Sequence, residues 1–338
     1  MRAIVLTTIN VPENVLELVA KARDEWIPVV VGDLKTPHDA VAAICKVGNG
    51  VYLSPEAQMR LGFAHAAALP WNCYDRKNIG YLFALKEGAE IVYSTDDDNY
   101  PPDQWDVEVS LGLQRVEMIR SDSGWWNYHS LNQMRITPRG FPVWLIHEEP
   151  KYEFTEREGV DIGVQVGLCL GDPDVDAMTR LICKPFVTSY PDRDVALETG
   201  TMCPYNSQNT FITREMMPVH MLWCGARTEF YRYDDIFASY AGQAVSWHHG
   251  KTIKFGRPFL RQARNPHDLL KDLRSEIGGM ECQREFLSLL RSMEFRDTRK
   301  AENLRQIVYT AVERIPQLPA SLKTQVDTWC ADLEKIGL

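Results

Sequence analysis

"EIVYSTDDDNYPPDQW", residues 90–105, joins a short apolar run to three consecutive aspartates and then to two prolines. The run IVYST has the length and the β-branched content of a buried strand. Asp96, Asp97 and Asp98 therefore lie together where this strand ends. Adjacent carboxylates repel one another, and a hard divalent cation such as Mg²⁺ or Mn²⁺ would offset that repulsion. The alternative is a solvated acidic turn or a helix N-cap.

The residues before this stretch alternate between strand and helix patterns. The segments are RAIVLTTI (2–9), PENVLELVAKARDE (12–25), IPVVVGD (27–33) and RKNIGYLFALKEGAE (76–90). Gly88 closes the last helix. This βαβαβ order predicts an α/β fold, with a parallel sheet covered on both faces. Ligands of such sheets bind beyond the carboxyl ends of the strands, so the aspartates should share one edge with TTIN (7–10) and VGDLKTP (31–37).

The pattern changes twice farther along the chain. Residues 105–265 mix aromatic side chains with loop signals, and we expect an acceptor or substrate half there, after a nucleotide-binding half at 1–104. Apolar residues then recur every three to four positions, which predicts a helical appendage over 266–338 beside one domain at 1–265.

Composition excludes several classes of protein. The chain has 338 residues, 45% of them hydrophobic, and a net charge of −9, so it has no global attraction for nucleic acid. It shows no run as long as a membrane span and no signal-peptide layout, so we expect a cytoplasmic protein. Its eight cysteines form no CxxC pair, which argues against a zinc knuckle and a disulfide framework.

Two further groups are candidates on chemical grounds. Asp33 ends the second strand, where it could accept a hydrogen bond from a base or ribose, and the alternative is a turn residue before Lys35 and Pro37. Arg76 and Lys77 open the helix before the acidic strand, where basic side chains suit phosphate. The alternative there is a solvated first turn.

Eight segments of the chain carry a resemblance to a known family. In order they are VLTTIN, VVVGDLKTP, YLSPEAQ, YDRKNIGYLFALKEGAEIVYSTDDDN, RGFPVWLI, GLCLGDPDVDAMTRL, PYNSQNTFI and YDDIFASY. From about residue 3 to 265 the chain resembles the STELLO-type glycosyltransferases and, more distantly, the reversibly glycosylated polypeptides, which are UDP-arabinopyranose mutases. The resemblance implies a GT-A-like fold with a Rossmann-type sheet, which binds a nucleotide-diphosphate sugar.

The resemblance also implies roles for single positions. The acidic triplet matches the Asp-x-Asp motif of GT-A enzymes, so Asp96 and Asp98 would contact metal, ribose and diphosphate. The residues on the nucleotide side would be Thr8, Asn10, Asp33, Arg76, Lys77, Asp96 and Asp97. Arg139 matches an arginine that becomes reversibly glycosylated in the mutases. Because Asn10 and the segment after RGFP depart from the mutase pattern, we assign Arg139 to sugar or phosphate binding.

Other carboxylates and two histidines complete the candidate set. Asp234 or Asp235 in YDDIF could act as a base for the acceptor or stabilise the anomeric centre. The aspartates of GDPDVDA (171–177) are typical of turns, and Asp174 could instead cap the next helix. His248 or His249 could complete the metal shell, as a late histidine does in many GT-A enzymes, and the alternative is a pair of loop residues.

These observations together predict a glycosyltransferase that depends on Mn²⁺ or Mg²⁺ and uses a nucleotide-diphosphate sugar, with UDP as the expected nucleotide. The alternatives are a nucleotide-sugar mutase or self-glycosylating protein, and a non-catalytic partner in a glycan-synthesis complex. Its partners would be the donor and an unknown acceptor, which could be a glycan, a lipid-linked sugar or a small molecule. No nucleic acid is expected, and a homo-oligomer is possible.

Overall fold

The computed structural model describes residues 1–10, 25–100, 109–226 and 228–338. The predicted helix at 12–25 lies outside these ranges except for residue 25. Residues 101–108, which follow the triplet, also lie outside them. The strands are β1 (Arg2–Thr8), β2 (Trp26–Gly32), β3 (Val51–Leu53), β4 (Ile91–Thr95), β5 (Asn99–Tyr100), β6 (Gly112–Ser121), β7 (Tyr152–Gly171), β8 (Val195–Leu197), β9 (Asn209–Thr213) and β10 (Thr252–Gln262). Over the described residues they form one mixed sheet in the order β3-β2-β1-β4-β9-β7-β6-β8-β10-β5.

The helices cover this sheet. They are α1 (His38–Val47), α2 (Pro55–Arg60), α3 (Ala64–Ala68), α4 (Lys77–Lys86), α5 (Ala177–Ile182), α6 (Asp234–His248), α7 (Leu269–Ser292), α8 (Lys300–Arg314) and α9 (Ser321–Ile336). In the described part of the chain, none of them combines the length and apolarity that crossing a bilayer requires.

The N-terminal half of the sheet is parallel. β1 pairs with β2 on one side and with β4 on the other, and β2 pairs with β3, all in parallel. The carboxyl ends of β1, β2 and β4 therefore meet at one edge, where Thr8, Gly32 and Thr95 end their strands. The predicted α/β fold is confirmed, and so is the placement of the three segments on one edge.

The rest of the sheet brings a distant strand to the aspartates. β9 runs antiparallel to β4, and β10 pairs with both β7 and β5. In the β5–β10 pair Asn99 lies opposite Gln262. The backbone N–H of Ala263 also donates to the carbonyl of Asp98 over 3.1 Å. The chain after β10 is therefore held beside the triplet, although 164 positions separate Asp98 from Gln262.

Helix α4 packs unusually close to the sheet. At Gly80 a Cβ atom would lie 2.5 Å from Val5 Cγ1 and 2.8 Å from Val31 Cγ2. The absence of a side chain thus lets the helix approach β1 and β2 directly. This contact fixes the N-terminus of α4, which carries Lys77, at the ligand edge of the sheet.

The three C-terminal helices contact the rest of the chain through polar as well as apolar groups. Asp332 of α9 accepts hydrogen bonds from the backbone N–H groups of Ala64 and His65, over 3.0 and 2.8 Å, at the start of α3. Trp329 is fully buried and donates to the carbonyl of Pro218 over 2.9 Å. The predicted helices at 266–338 are present, and the division of the chain into domains and halves stays a prediction.

Candidate functional site

Asp96 forms an ion pair with a buried lysine. The Nζ atom of Lys77 lies 2.5 Å from Oδ1 of Asp96 and also donates to the carbonyl of Ser207 over 3.2 Å. The lysine side chain is 1% exposed, whereas that of Asp96 is 42% exposed. Burial alone would lower the pKa of Lys77, but the charge of Asp96 raises it above the usual value. The lysine therefore stays charged and fixes Asp96 at the cleft surface.

The other two aspartates are hydrogen-bonded by side chains of neighbouring strands. Thr8 donates from Oγ1 to Oδ2 of Asp97 over 2.7 Å, and burial raises the pKa of Asp97. Gln262 donates to Oδ2 of Asp98 over 3.3 Å. The other oxygen of Asp98, Oδ1, is buried and has no hydrogen-bond partner among the described residues. Burial, followed by the charge of Asp96, raises the pKa of Asp98 to about 6.

The triplet fits a hard divalent cation. A buried carboxylate oxygen without a partner is costly unless a proton or a cation satisfies it. Here Oδ1 of Asp98 lies beside two further carboxyl groups, and Mg²⁺ and Mn²⁺ prefer oxygen ligands of this kind. That Asp96 and Asp98 share an ion stays a prediction.

We call the cavity in front of the triplet the aspartate cleft. It has a volume of about 250 Å³. Its walls are Thr7, Tyr74, Asp96, Asp97, Asp98, Arg139, Asp174, Asn206, Ser207, Gln208, Arg232, Asp235, Gln262, Arg264 and His267. Its walls carry both acidic and basic side chains, so the cleft can bind both a cation and an anionic ligand.

Arg139 joins two carboxylates on the far wall of the aspartate cleft. Its Nε donates to both oxygens of Asp174 over 3.1 Å, and its Nη2 donates to Asp174 over 2.9 Å and to Asp235 over 3.2 Å. Its Nη1 donates to Asp235 over 3.0 Å and to the carbonyl of Arg232. All five N–H groups of the guanidinium therefore have protein acceptors.

Asp174 belongs to this network and does not cap a helix. Burial alone would raise the pKa of Asp174, but Arg139 holds it well below the usual range. The N-cap of α5 is instead Asp176, which accepts from the backbone N–H of Thr179 over 2.7 Å. Of the aspartates in GDPDVDA, Asp174 is the one that lines the cleft.

The two aspartates of YDDIF have different surroundings. Asp235 lines the aspartate cleft and accepts from the backbone N–H of Ser207 over 3.2 Å, besides its bonds to Arg139. Asp234 is fully buried behind it and accepts from the hydroxyl of Tyr74 over 2.5 Å. Burial raises the pKa of Asp234 well above its usual value. Asp235 is thus the member of the pair that a substrate can reach.

A second cavity, the strand-end pocket, opens beside the aspartate cleft at the same sheet edge. It also measures about 250 Å³. Its walls are Thr7, Thr8, Ile9, Val31, Gly32, Asp33, Lys35, Asn72, Cys73, Tyr74, Arg76, Asp97 and Tyr231. Thr7, Tyr74 and Asp97 line both cavities, so one extended ligand could occupy the two together.

The carboxylate of Asp33 organises the floor of the strand-end pocket. It accepts from the backbone N–H groups of Leu34, Asn72 and Cys73, over 2.6, 3.0 and 3.1 Å. Asn10 is exposed, and its backbone N–H donates to Oγ1 of Thr8 over 3.1 Å. Asp33 and Thr8 thus lie in the pocket wall, and Asn10 lies at the surface beside it.

Arg76 directs its guanidinium into the protein. It donates to Oε1 of Gln58 over 2.7 Å and to the carbonyls of Leu69 and Ala66 over 3.1 and 3.3 Å, and it stacks on Trp71 at 3.5 Å from the ring centroid. Burial lowers its pKa to about 10. Its contacts hold the chain before α4, while its neighbour Lys77 faces the triplet.

The two histidines of SWHHGK lie away from both cavities, at the end of α6. His249 has its Nε2 3.0 Å from the amide nitrogen of Asn303, and His248 packs edge-on against Phe295 with ring centroids 5.4 Å apart. The structure therefore does not bring this pair together with the triplet.

The histidine that lines the aspartate cleft is His267, which follows β10. Its Nδ1 lies 2.9 Å from Oδ2 of Asp272. A carboxylate on one ring nitrogen orients the ring and leaves the other nitrogen available, as in many metal sites. Arg264 lies on the same segment and also lines the cleft. Neither residue was a candidate in the sequence, because their place depends on the pairing of β5 with β10.

Comparisons with known proteins agree with the resemblance found in the sequence. A family model described as "Reversibly glycosylated polypeptide" matches residues 51–328. The chain is 28% identical over 303 residues to "Probable glycosyltransferase STELLO1" of Arabidopsis thaliana, covering 81% of this chain and 38% of that protein. It is also 28% identical over 221 residues to "UDP-arabinopyranose mutase 3" of the same plant, covering 63% of this chain and 57% of the mutase.

Among solved structures, the chain overlaps with glucosyl-3-phosphoglycerate synthase from Mycobacterium tuberculosis in complex with Mn²⁺, UDP-glucose and phosphoglyceric acid. The TM-score is 0.45 at 12% identity, over 84% of this chain and 79% of the other. This overlap is too low to support a conclusion about the present chain. The match to the family model covers most of the sequence, and it shows that the chain belongs to the reversibly glycosylated polypeptide family.

Proposed function

We propose that this chain is a metal-dependent glycosyltransferase that uses a nucleotide-diphosphate sugar, with UDP as the nucleotide. The observation that carries the proposal is the buried, unpartnered Oδ1 of Asp98, in a cleft that is continuous with a second pocket at the same sheet edge. A relative that covers 81% of the chain is named as a probable glycosyltransferase. The chain spans well under half of that relative, so the activity is inferred for this chain on its own.

The two cavities divide the donor between them. The strand-end pocket takes the base and ribose, beside Asp33 and Thr8, and the aspartate cleft takes the diphosphate and sugar. Asp96 and Asp98 hold the cation. We assign its histidine ligand to His267, which lines the aspartate cleft, in place of His248 and His249. When bound, the cation supplies positive charge that stabilises the departing diphosphate.

Asp235 is the residue we assign to the acceptor side. Arg139 and the backbone N–H of Ser207 fix its carboxylate at the cleft wall. In that position it can orient an acceptor hydroxyl or stabilise positive charge at the anomeric centre. Arg139 acts as a positioning residue, since its N–H groups are engaged by Asp174, Asp235 and Arg232.

A mutase or self-glycosylating activity is the alternative, and the family description together with the mutase relative favours it. The full set of hydrogen bonds on Arg139 counts against modification of that residue. An arginine that accepts a sugar must first release at least one N–H from a protein acceptor. A cytoplasmic location and a homo-oligomer stay predictions.

A thermal-shift screen of nucleotide sugars, with and without Mn²⁺, tests donor binding. Ligands that bind the native state raise its melting temperature. We expect a UDP-sugar to raise it further when Mn²⁺ is present, and Asp98→Ala to remove that manganese-dependent part. Asp192→Ala is the matched control, because Asp192 is an exposed carboxylate outside both cavities. The proposal is wrong if neither nucleotide nor Mn²⁺ shifts the wild type, and a non-catalytic partner then becomes the better explanation.

A product assay separates the two activities. The chain is incubated with UDP-sugars, and the nucleotide sugar and the intact protein mass are then measured. Release of UDP without an isomerised nucleotide sugar and without a gain in protein mass supports transfer or slow hydrolysis. An isomerised nucleotide sugar, or a protein mass gain that Arg139→Ala abolishes, supports the mutase family's chemistry instead.

A further inference from the structure

Two cysteines and an aspartate meet directly beneath the strand-end pocket. The sulfur atoms of Cys73 and Cys224 lie 3.3 Å apart, and Oδ2 of Asp75 lies 3.0 Å from Cys73 Sγ. One ligand atom from each of the three residues lies within 4.8 Å of those of the other two, and all three residues are buried. We call this group the thiol–carboxylate cluster. The two cysteines form no local sequence motif, because 151 positions separate them.

Two buried carboxyl groups, Asp75 of the cluster and Asp234 beside it, interact with each other. Asp75 is fully buried, and its Oδ1 has no hydrogen-bond donor among the described residues. The neighbouring Asp234 is equally buried, and its Oδ2 has no donor among those residues either, so the Asp75–Asp234 pair needs a proton between the two carboxyl groups. The nearby Arg76 turns its N–H groups toward Gln58 and backbone carbonyls. Two buried carboxyl groups without a basic partner are expensive unless protons or a cation neutralise them.

We propose that Cys73, Cys224 and Asp75 bind a thiophilic divalent cation, with Zn²⁺ as the expected ion. Thiolate sulfur selects zinc over magnesium and manganese, and zinc sites accept two cysteines together with a carboxylate. Three protein ligands leave one tetrahedral position for a water molecule. Zinc binds the thiolate form of cysteine, so binding releases thiol protons. This ion is distinct from the hard cation of the aspartate cleft.

The ion would lie between the strand-end pocket and the C-terminal helices. Cys73 donates its backbone N–H to Asp33, on the floor of the strand-end pocket. Cys224 is held from the other side by Gln325 of α9, which bonds both its backbone N–H and its carbonyl over 3.1 and 3.0 Å. The ion would therefore join the pocket floor to the C-terminal helices. The inference does not depend on the proposed function, because it needs no nucleotide.

Metal analysis of the full chain, purified without a histidine tag, tests the inference. We expect close to one zinc ion per chain after dialysis against a weak chelator, and none above buffer for Cys73→Ser or Asp75→Asn. Cys224→His keeps a zinc ligand and should retain the ion, which separates loss of a ligand from loss of folding. Cys45→Ser is the matched control, since Cys45 is a buried cysteine of α1 outside the cluster. Cobalt in place of zinc should give thiolate charge-transfer absorption.

Three results would overturn the inference. The first is a wild-type chain, refolded with zinc, that holds no zinc above buffer. The second is an intact mass that shows a disulfide between Cys73 and Cys224 in the freshly isolated protein. The third is loss of zinc in Asp98→Ala, because the ion would then belong to the aspartate cleft. Asp98→Ala is expected to keep its zinc while it loses the manganese-dependent thermal shift, so the two metal assignments can fail separately.

Discussion

Arg139 fixes the positions of two other residues of the site, Asp174 and Asp235, by hydrogen bonds. Its side chain is 8% exposed, and its guanidinium lies between two carboxylates whose side chains are 12% and 9% exposed. Removing one member of such a network leaves the others charged and unpaired, which costs far more than the network contributes as a whole. Substitutions of Arg139 therefore affect folding as well as chemistry, and both have to be measured.

We predict that Arg139→Met lowers the free energy of unfolding by about 3–5 kcal/mol, because Asp174 and Asp235 lose their only common partner in the described residues. Urea unfolding followed by circular dichroism measures the change. Adding Asp174→Asn and Asp235→Asn to the same chain should restore most of the loss. If the triple variant is no more stable than Arg139→Met, the charge explanation is wrong.

Single residues also show where sequence reasoning stops. The aspartate triplet could be placed because it directly follows a strand whose direction the βαβαβ pattern predicts. The partner of Asp98 could not be predicted, because Gln262 lies beside Asp98 only through the pairing of β5 with β10. The same pairing brings His267 to the cleft. His248 and His249 are adjacent in the sequence and therefore easier to notice, but they lie at the C-terminal end of α6, away from the cleft. Local pattern carries no information about contacts of this range.

At the scale of elements, the sequence pattern predicts the parallel strands and α4. It does not predict how closely α4 packs against β1 and β2. The periodicity of RKNIGYLFALKEGAE gives the helix, but the sequence does not say which residue touches the sheet. In the structure it is Gly80, whose missing Cβ leaves room for Val5 and Val31. The helix N-terminus that presents Lys77 depends on this contact.

We predict that Gly80→Ala destabilises the chain by about 1–3 kcal/mol, since crowding of a packed core outweighs the roughly 1 kcal/mol that alanine gains over glycine in a helix. Chemical denaturation gives the value. Shortening the neighbour, in Gly80→Ala with Val5→Ala, removes the nearest clash, and the pair should cost less than the sum of the single changes. Additive costs would mean that the two sites do not press on each other.

At the scale of the whole molecule, three buried histidines couple folding to pH. Burial lowers the pKa of His65 to about 4, of His220 to about 4 and of His129 to about 3. In His65 the ring accepts at Nε2 from the amide of Asn78, whose orientation is fixed by two bonds to the backbone of Leu222. A second proton on the ring, at Nε2, would face the side-chain N–H of Asn78, and the two donors would repel each other.

We predict that stability falls as pH drops from about 6.5 to 4. The unfolded chain binds protons at these histidines in that window and the folded chain does not, so the stabilising effect is complete above about 6.5 and is lost as the pH approaches the folded pKa. For His65 the difference corresponds to about 3 kcal/mol. His65→Gln should be less stable at pH 7 and show a flatter pH dependence. An unchanged slope would exclude His65 as a source.

The bonds from Asp332 to Ala64 and His65 span as many as 268 positions, and they have a kinetic consequence. Contacts this distant in sequence close large loops, which slows folding. The ribosome makes the segment around α3 long before α9, so that segment emerges with its helix start uncapped. Chaperones in the cell would therefore meet a nascent chain in which the first residues of α3 still lack the acceptor that Asp332 provides.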